Sequence, residues 1–267
     1  MKNIFIEGIQ GMGKTTLLNH ISSAIPALHT CHEGDHSPVE LAWCAWMTNE
    51  EYTQLLERYG SIRNEIIKNT VQEQEHFIVS YTKIITDIPD FHKELEKFEI
   101  YNGRKPLQDF KNIVFSRYEN FSKTGYLFEC SFFQNIVEDL ILFHQLSDDE
   151  IVKFYRELYT KINERQFLLF YLYSDKLEEN IELIKKERCD EHGDEIWYSL
   201  ILKYVACSPY GKKQGYHTFE DIITHFRHRQ QLELRIIKEI IGKRAIILPA
   251  KNWKIEEILP RINEPQR

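Results

Sequence analysis

Near its first residue the sequence has an apolar run, a glycine-rich turn and an amphipathic segment that follow one another directly. Residues 2–7 form the apolar run and indicate a buried strand, while the apolar spacing of residues 14–25 is typical of a helix. The turn between them reads Gly8-Ile-Gln-Gly-Met-Gly-Lys14-Thr15 and matches the pattern G-x-x-x-x-G-K-S/T in full. A strand before this turn and a helix after it are the context that such a pattern requires.

Each residue type in the turn suits the binding of a polyphosphate. The glycines let the backbone curl so that consecutive N–H groups converge, and the start of the helix adds a partial positive charge. Lys14 would bring a full charge to the β- and γ-phosphates, and the Thr15 hydroxyl suits Mg²⁺. The pattern therefore predicts a nucleotide-binding loop made of Gly8, Gln10, Gly11, Met12, Gly13, Lys14, Thr15 and Thr16.

Short apolar runs and helical patterns alternate along much of the remaining chain. Further strands are expected at residues 27–33, 77–84, 125–130, 167–173 and 244–248. Helices are expected to start at Ser147, Ser174 and Thr218, where Glu150 and Asp221 would complete the caps of the first and the last. Such alternation predicts an α/β fold, with a parallel sheet and helices on both faces. Two long irregular stretches, at about 40–110 and 189–217, look like insertions in a single domain that spans residues 1–267.

Composition excludes several other classes of protein. Lys and Arg number 34 against 41 Asp and Glu, and this net charge of −7 argues against a general nucleic-acid binder. No apolar run approaches the roughly 18 residues of a membrane span, and no signal peptide is recognisable. The five cysteines form no C-x-x-C pair. We therefore expect a cytoplasmic protein with free thiols and with neither a nucleic-acid nor a membrane partner.

The segment E-G-I-Q-G-M-G-K-T-T, from Glu7 to Thr16, resembles the loop E-G-x-x-G-x-G-K-S/T-T of thymidylate kinases and deoxynucleoside kinases. Three further segments support the resemblance. Glu129-Cys130-Ser131 is similar to the family's E-R-S segment, residues 167–188 to its fourth strand and following helix, and residues 244–251 to its last strand and adenine-contacting loop.

The resemblance implies a fold as well as an activity. The fold is the three-layer P-loop NTPase fold, whose five-stranded parallel sheet has the order 2-3-1-4-5. The activity is Mg²⁺-dependent phosphoryl transfer from ATP to a nucleoside or a nucleoside monophosphate. The insertion at about 40–110 would then build the acceptor side and that at 189–217 the lid region, and a homodimer is compatible with the family.

The sequence departs from the family pattern at two places. Cys130 stands where the family has an arginine, so an arginine for the phosphates would have to come from elsewhere. The family's E-P segment after the second strand is here His32-Glu33-Gly34-Asp35-His36-Ser37-Pro38, in which either Glu33 or Asp35 is the candidate base. For each acid, the alternative is a place in a solvated turn or a helix cap.

Other candidate site residues follow from position and residue type. Glu129 ends an apolar strand, where a carboxylate is costly unless a partner such as Mg²⁺ lies nearby, so it joins Thr15 as a predicted magnesium ligand. The alternative for Glu129 is a structural hydrogen bond. Arg188 is a candidate lid arginine or a solvated helix end. Arg227 and Arg229 are a second option for the lid arginine, although a charged helix face is favoured for both. Finally, the resemblance implies that Pro249 and Ala250 help shape the adenine pocket, and the alternative is an ordinary strand-to-helix turn.

Several readings remain open. The spacing of four His and Cys residues between positions 29 and 36 fits no zinc pattern. Trp43, Trp46 and Tyr81 would suit stacking on a flat substrate or packing in the core. We expect a nucleoside or nucleotide kinase; the alternatives are a kinase of another small molecule, such as an antibiotic or a sugar, and a regulatory NTPase switch. A switch normally has adjacent acids after a strand, and Phe128-Glu129-Cys130 offers one.

Overall fold

The computed structural model describes residues 1–189 and 192–263, and the chain divides into two compact units. One unit consists of Met1–Thr30 and the described residues from Ser122 onward. The other is Cys31–Phe121, which contains the predicted insertion at about 40–110. The assignment of residues 1–267 to a single domain stays a prediction, and its last four residues lie outside the described part.

A five-stranded parallel sheet flanked by helices forms the α/β core. Numbered along the whole chain, its strands lie in the order β2-β6-β1-β7-β8. They are β1 (Asn3–Gly8), β2 (His29–Cys31), β6 (Tyr126–Glu129), β7 (Phe167–Tyr173) and β8 (Ala245–Pro249). Counted within this sheet, the order is the predicted 2-3-1-4-5. β1 is buried throughout and pairs with β6 and β7, so residues at its end have a strand on each side.

Helices follow the strands of this sheet along the chain, including one after the last strand. They are α1 (Lys14–Ala24), α6 (Gln134–Leu142), α7 (Asp148–Tyr159), α8 (Leu177–Glu187), α11 (Phe219–Ile236) and α12 (Ile255–Asn263). The predicted capping boxes at the starts of α7 and α11 are present. The predicted cap of α8 at Ser174 is wrong, because the Ser174 hydroxyl accepts the Lys176 N–H and the helix begins after Lys176.

The predicted insertion at 189–217 contains two helices that the sequence did not suggest. These are α9 (Ile196–Cys207) and α10 (Pro209–Gln214), while Asp190 and Glu191 lie outside the described residues. α9 is strongly apolar, yet Val205 is its one fully buried residue. Its apolar residues therefore lack the spacing of a buried stripe, which is why periodicity did not reveal the helix.

The unit Cys31–Phe121 has its own small sheet and core. β3 (Ala45–Thr48), β4 (Thr70–Glu73) and β5 (His76–Val79) form an antiparallel sheet of order β3-β5-β4. Four helices complete it, namely α2 (Asn49–Arg58), α3 (Arg63–Lys68), α4 (Phe91–Leu95) and α5 (Leu107–Asn120). Its apolar core is separate and includes Leu55, Ile66 and Phe91. The sequence indicated β5 but missed β3 and β4, which are only four residues long and lack clear alternation.

Over residues 1–189 and 192–263, no helix has both the length and the apolar character needed to cross a membrane. The five cysteines all lie in this described part of the chain and are free thiols.

Candidate functional site

The glycine turn lies between the end of β1 and the start of α1. Gly8, Gly11 and Gly13 have φ values of 142°, 77° and 89°, in the region that favours glycine. Gly8 also needs its missing side chain, because an added Cβ would lie 2.6 Å from the carbonyl oxygen of Leu172 on β7. Gly13 is the N-cap of α1, so the first-turn N–H groups of this helix border the turn. This backbone has the form that an anion-binding loop requires.

Lys14 folds back over the turn. Its side chain is buried, with 7% of the residue's surface exposed. The ammonium group donates to the carbonyl oxygens of Gly8, at 2.8 Å, and Ile9, at 3.0 Å. The positive charge is therefore held directly against the loop backbone.

The two predicted magnesium ligands meet in the structure. The Thr15 hydroxyl donates a hydrogen bond to Oε1 of Glu129, 114 positions further along the chain. Glu129 is the last residue of β6 and pairs in register with Ile6 of β1, so the sheet brings it beside the loop. Both groups offer hard oxygen ligands, which are the kind that Mg²⁺ prefers.

A neighbouring helix packs against the outer part of the loop. Met12 is fully buried, and its sulfur accepts the amide N–H of Asn180 on α8 at 3.8 Å. A Cβ added to Gly11 would lie 1.4 Å from the end of the Ile184 side chain, so α8 closely covers this glycine. Gln10 is half-buried, whereas Thr16 is exposed. The loop is therefore fixed in the core at Met12, while Thr16 is open to solvent.

The segment after β8 also adjoins the loop. Ala250 donates its N–H to the carbonyl oxygen of Tyr173 at 2.7 Å, which fixes the exit from β8. The side chain of Lys251 approaches to 4.0 Å from where a Cβ of Gly13 would stand. Pro249 is exposed. The segment for which the resemblance implies adenine contact thus lies next to the glycine turn; its contact with a base stays a prediction.

The three candidate arginines have different surroundings. Arg188 is exposed just beyond α8, and its guanidinium lies over the Trp197 ring, 5.6 Å from the ring centre. Arg227 is exposed and lines an open cleft together with Lys186. The interpretation of Arg229 as part of a charged helix face is wrong, because this residue is fully buried. For Arg188, a role at the phosphates stays a prediction.

A buried group of charged residues surrounds Arg229, and sequence reasoning missed it. Arg229 pairs with Glu138 of α6 and, at 3.0 Å, with Glu233 of its own helix. His225 contacts Glu138 at 2.6 Å, and the Tyr171 hydroxyl donates to Glu233 at 2.7 Å. The available signal was spacing. His225, Arg229 and Glu233 are four residues apart and share one face of α11 with buried apolar residues.

The pKa shifts differ among the buried carboxyl groups of Glu7, Glu138 and Glu233. Burial raises the pKa of Glu7 to about 7, against the opposing effect of a hydrogen bond from the Phe132 N–H at 2.6 Å. Burial likewise raises the pKa of Glu233. Burial also acts on Glu138, but the charges of His225 and Arg229 outweigh it and lower the pKa to about 2. Glu138 is therefore the firmly ionised partner of Arg229.

The two candidate bases lie just after β2 and have local partners within the unit Cys31–Phe121. Glu33 is exposed, and its carboxylate accepts the indole N–H of Trp43 at 3.2 Å. Asp35 pairs with Lys83 and accepts the backbone N–H of His32 at 2.9 Å. Asp35 thus stabilises the turn in which it lies. The choice between them as the base stays open.

The aromatic residues and the histidines of this unit also have identifiable partners. Trp43 is exposed, Trp46 stacks on His76 with ring centres 3.7 Å apart, and Tyr81 is buried in the core. His36 contacts Glu73 at 2.7 Å. Over the described ranges 1–189 and 192–263, no group of three or more His, Cys, Asp or Glu side chains is placed to hold a metal ion.

Glu40, in the same unit, gives a prediction about pH. The residue is buried and accepts the Ala42 N–H at 2.7 Å, and burial raises its pKa to about 8. Because the folded form holds this proton more tightly than the unfolded form, its stabilising contribution is full below about pH 4.5 and is lost as the pH rises through 8. Between pH 5 and pH 8 we expect wild type to lose about 3 kcal/mol more unfolding free energy than Glu40→Gln.

Urea unfolding at several pH values measures this difference. Exposed Glu57→Gln is the control and should follow the wild-type curve. Parallel curves for wild type and Glu40→Gln would show that Glu40 does not bind a proton on folding.

Comparison of the chain with models of protein families finds no match, and comparison with curated protein sequences finds none either. The assignment of a function therefore depends on the residues of the site and on their geometry.

Proposed function

We propose that this protein is a Mg²⁺-requiring phosphotransferase that uses ATP, a P-loop kinase of a small molecule. The observation that carries the proposal is the hydrogen bond between the Thr15 hydroxyl and the Glu129 carboxylate. This contact supports the proposal because Glu129 would then be a second hard oxygen ligand beside a complete G-x-x-x-x-G-K-S/T loop. The sheet order β2-β6-β1-β7-β8 supports a three-layer P-loop NTPase fold, since the loop then lies at the carboxyl ends of parallel strands.

The residues of the loop have distinct tasks in this reaction. The N–H groups of the turn and of the first turn of α1 would bind phosphate oxygens. Lys14 would leave the carbonyls of Gly8 and Ile9 for the β- and γ-phosphates. Thr15 and Glu129 would hold Mg²⁺, which when bound neutralises charge on the phosphates.

The acceptor we propose is a nucleoside or a nucleoside monophosphate, on the basis of the resemblance of the loop from Glu7 to Thr16. The bond from the γ-phosphorus to its bridging oxygen breaks, and a new bond forms to an acceptor oxygen. With a hydroxyl acceptor, its proton passes to a base, for which Glu33 and Asp35 are the candidates. A phosphate acceptor needs no strong base, and these acids would then orient the substrate.

Two other functions make different predictions. The first is a kinase of a non-nucleoside, such as an antibiotic or a sugar. The large insertion in the unit Cys31–Phe121 keeps the identity of the acceptor open. A regulatory switch would hydrolyse ATP slowly whatever small molecule is added. The single acid at the end of β6, followed by buried Cys130, favours a kinase over such a switch.

The test is a screen over nucleosides, nucleoside monophosphates, sugars and antibiotics that measures release of ADP with ATP as the donor and of GDP with GTP as the donor. A kinase should release ADP slowly alone and much faster with its acceptor. A thermal-shift screen with the same compounds would detect binding independently. If no acceptor accelerates ADP release although ATP binds, the switch becomes the better assignment.

Glu129 provides a direct test of the magnesium site. Glu129→Gln keeps the size of the side chain but removes the charge that favours a divalent cation. We expect the Mg²⁺ concentration for half-maximal ADP release to rise by at least about tenfold. Exposed Glu187→Gln, at the end of α8, is the matched control. An unchanged Mg²⁺ requirement in Glu129→Gln would exclude Glu129 as a ligand.

A further inference from the structure

The buried charged cluster beneath the loop has no task in the reaction described so far. Its centre is Arg229, which is completely buried between Glu138 and Glu233. Burying an arginine with two carboxylates is not an efficient way to stabilise a core, since apolar residues of similar volume often do as well or better. Arg229 has a third contact, which is with the loop. Its Nη2 donates to the carbonyl oxygen of Gly8 at 3.5 Å.

That carbonyl oxygen is also one of the two acceptors that hold Lys14. The lysine ammonium donates to Gly8 at 2.8 Å and interacts electrostatically with the buried carboxyl groups of Glu7 and Glu233. To reach a phosphate, the lysine must leave this carbonyl and these carboxyl groups. The charges of Arg229 and Lys14 both favour the ionised form of Glu233 against the effect of its burial. An attraction between buried charges is only weakly screened, so an ionised Glu233 without Arg229 would hold the lysine back.

We infer that Arg229 is a positioning residue for Lys14, which neutralises Glu233 and supplies the Gly8 carbonyl with a donor when the lysine moves to a phosphate. This inference rests on the proposed function, since it concerns the same loop. Glu138 and Glu233 have different surroundings in the cluster. Glu138 contacts His225 at 2.6 Å, whereas Glu233 accepts the Tyr171 hydroxyl at 2.7 Å, and Tyr171 pairs in register with Glu7, the residue just before the turn. The two carboxylates therefore allow a matched comparison.

The experiment is a titration of full-length variants with a fluorescent ATP analogue, accompanied by thermal melting. Arg229→Met should weaken binding by about tenfold, because Glu233 then retains the lysine. The double variant Arg229→Met/Glu233→Gln should return the Kd to within about threefold of wild type. Arg229→Met/Glu138→Gln also removes one buried positive and one buried negative charge but leaves Glu233 in place, so its binding should stay weak.

The outcomes separate this inference from a structural role of the cluster. A role in core stability alone would change the melting temperatures and let the two double variants bind equally well, which would overturn the inference. Wild-type affinity in Arg229→Met, or no recovery with Glu233→Gln, would do the same. If Arg229→Met does not fold, single Glu233→Gln decides the question; it should bind ATP at least as tightly as wild type, and weaker binding contradicts us. A wild-type protein that binds no ATP would instead overturn the proposed function itself.

Discussion

Lys14→Met is expected to lower the rate of acceptor-dependent ADP release by about a thousandfold. The reason is that phosphoryl transfer depends on charges positioned against the phosphates, and single groups of this kind contribute about 10²–10³-fold. The methionine keeps the apolar stem of the buried side chain but provides no charge and no donor. The loss should appear both in the Kd for ATP and in the rate at saturating ATP, measured with the acceptor found by the screen.

Two controls make this result specific. Exposed Lys153→Met on α7 removes the same charge from the surface and should behave as wild type. The melting temperature of Lys14→Met should stay close to that of wild type, since Arg229 still lies near the Gly8 carbonyl. Full phosphotransfer by a folded Lys14→Met variant would mean that the loop assignment is wrong.

Gly8→Ala is expected to cause the largest loss of stability, about 4 kcal/mol of unfolding free energy. Its φ of 142° strains any residue with a side chain, and the new Cβ would lie 2.6 Å from the Leu172 carbonyl oxygen. That oxygen belongs to the backbone of β7, which is paired with β1 on one side and β8 on the other, so it cannot move aside cheaply. Urea unfolding of the purified variant measures the loss.

The variant Gly215→Ala separates the effect of backbone strain from the effect of the steric clash. Gly215 ends α10 with a φ of 73°, and no atom lies within 4 Å of an added Cβ. This variant therefore has backbone strain without a clash and should lose only about 1 kcal/mol. A loss below 1 kcal/mol in Gly8→Ala would contradict the close approach of the loop to β7.

Much of the α/β core was predictable because its signals are local. An apolar run such as β7 reads as a buried strand in any context, and the capping boxes at Ser147 and Thr218 each lie within four residues. The unit Cys31–Phe121 was harder to predict. Its strands β3 and β4 are short and take their identity from pairing with β5, which no local pattern encodes.

The candidate site likewise has one part that the local sequence predicted and another that it did not. The glycine pattern by itself determined the loop, since glycine at positive φ and a lysine at a fixed spacing are properties of a short segment. The parallel register of β1 and β6 brings Glu129 to Thr15, and the binding of Mg²⁺ by these two residues stays a prediction. Only the tertiary structure decided that Arg229 is buried, because a helix face of mixed polarity is solvated or buried according to what packs on it. Here Glu138 of another helix supplies the countercharge, and a partner so distant in the sequence leaves no local signal.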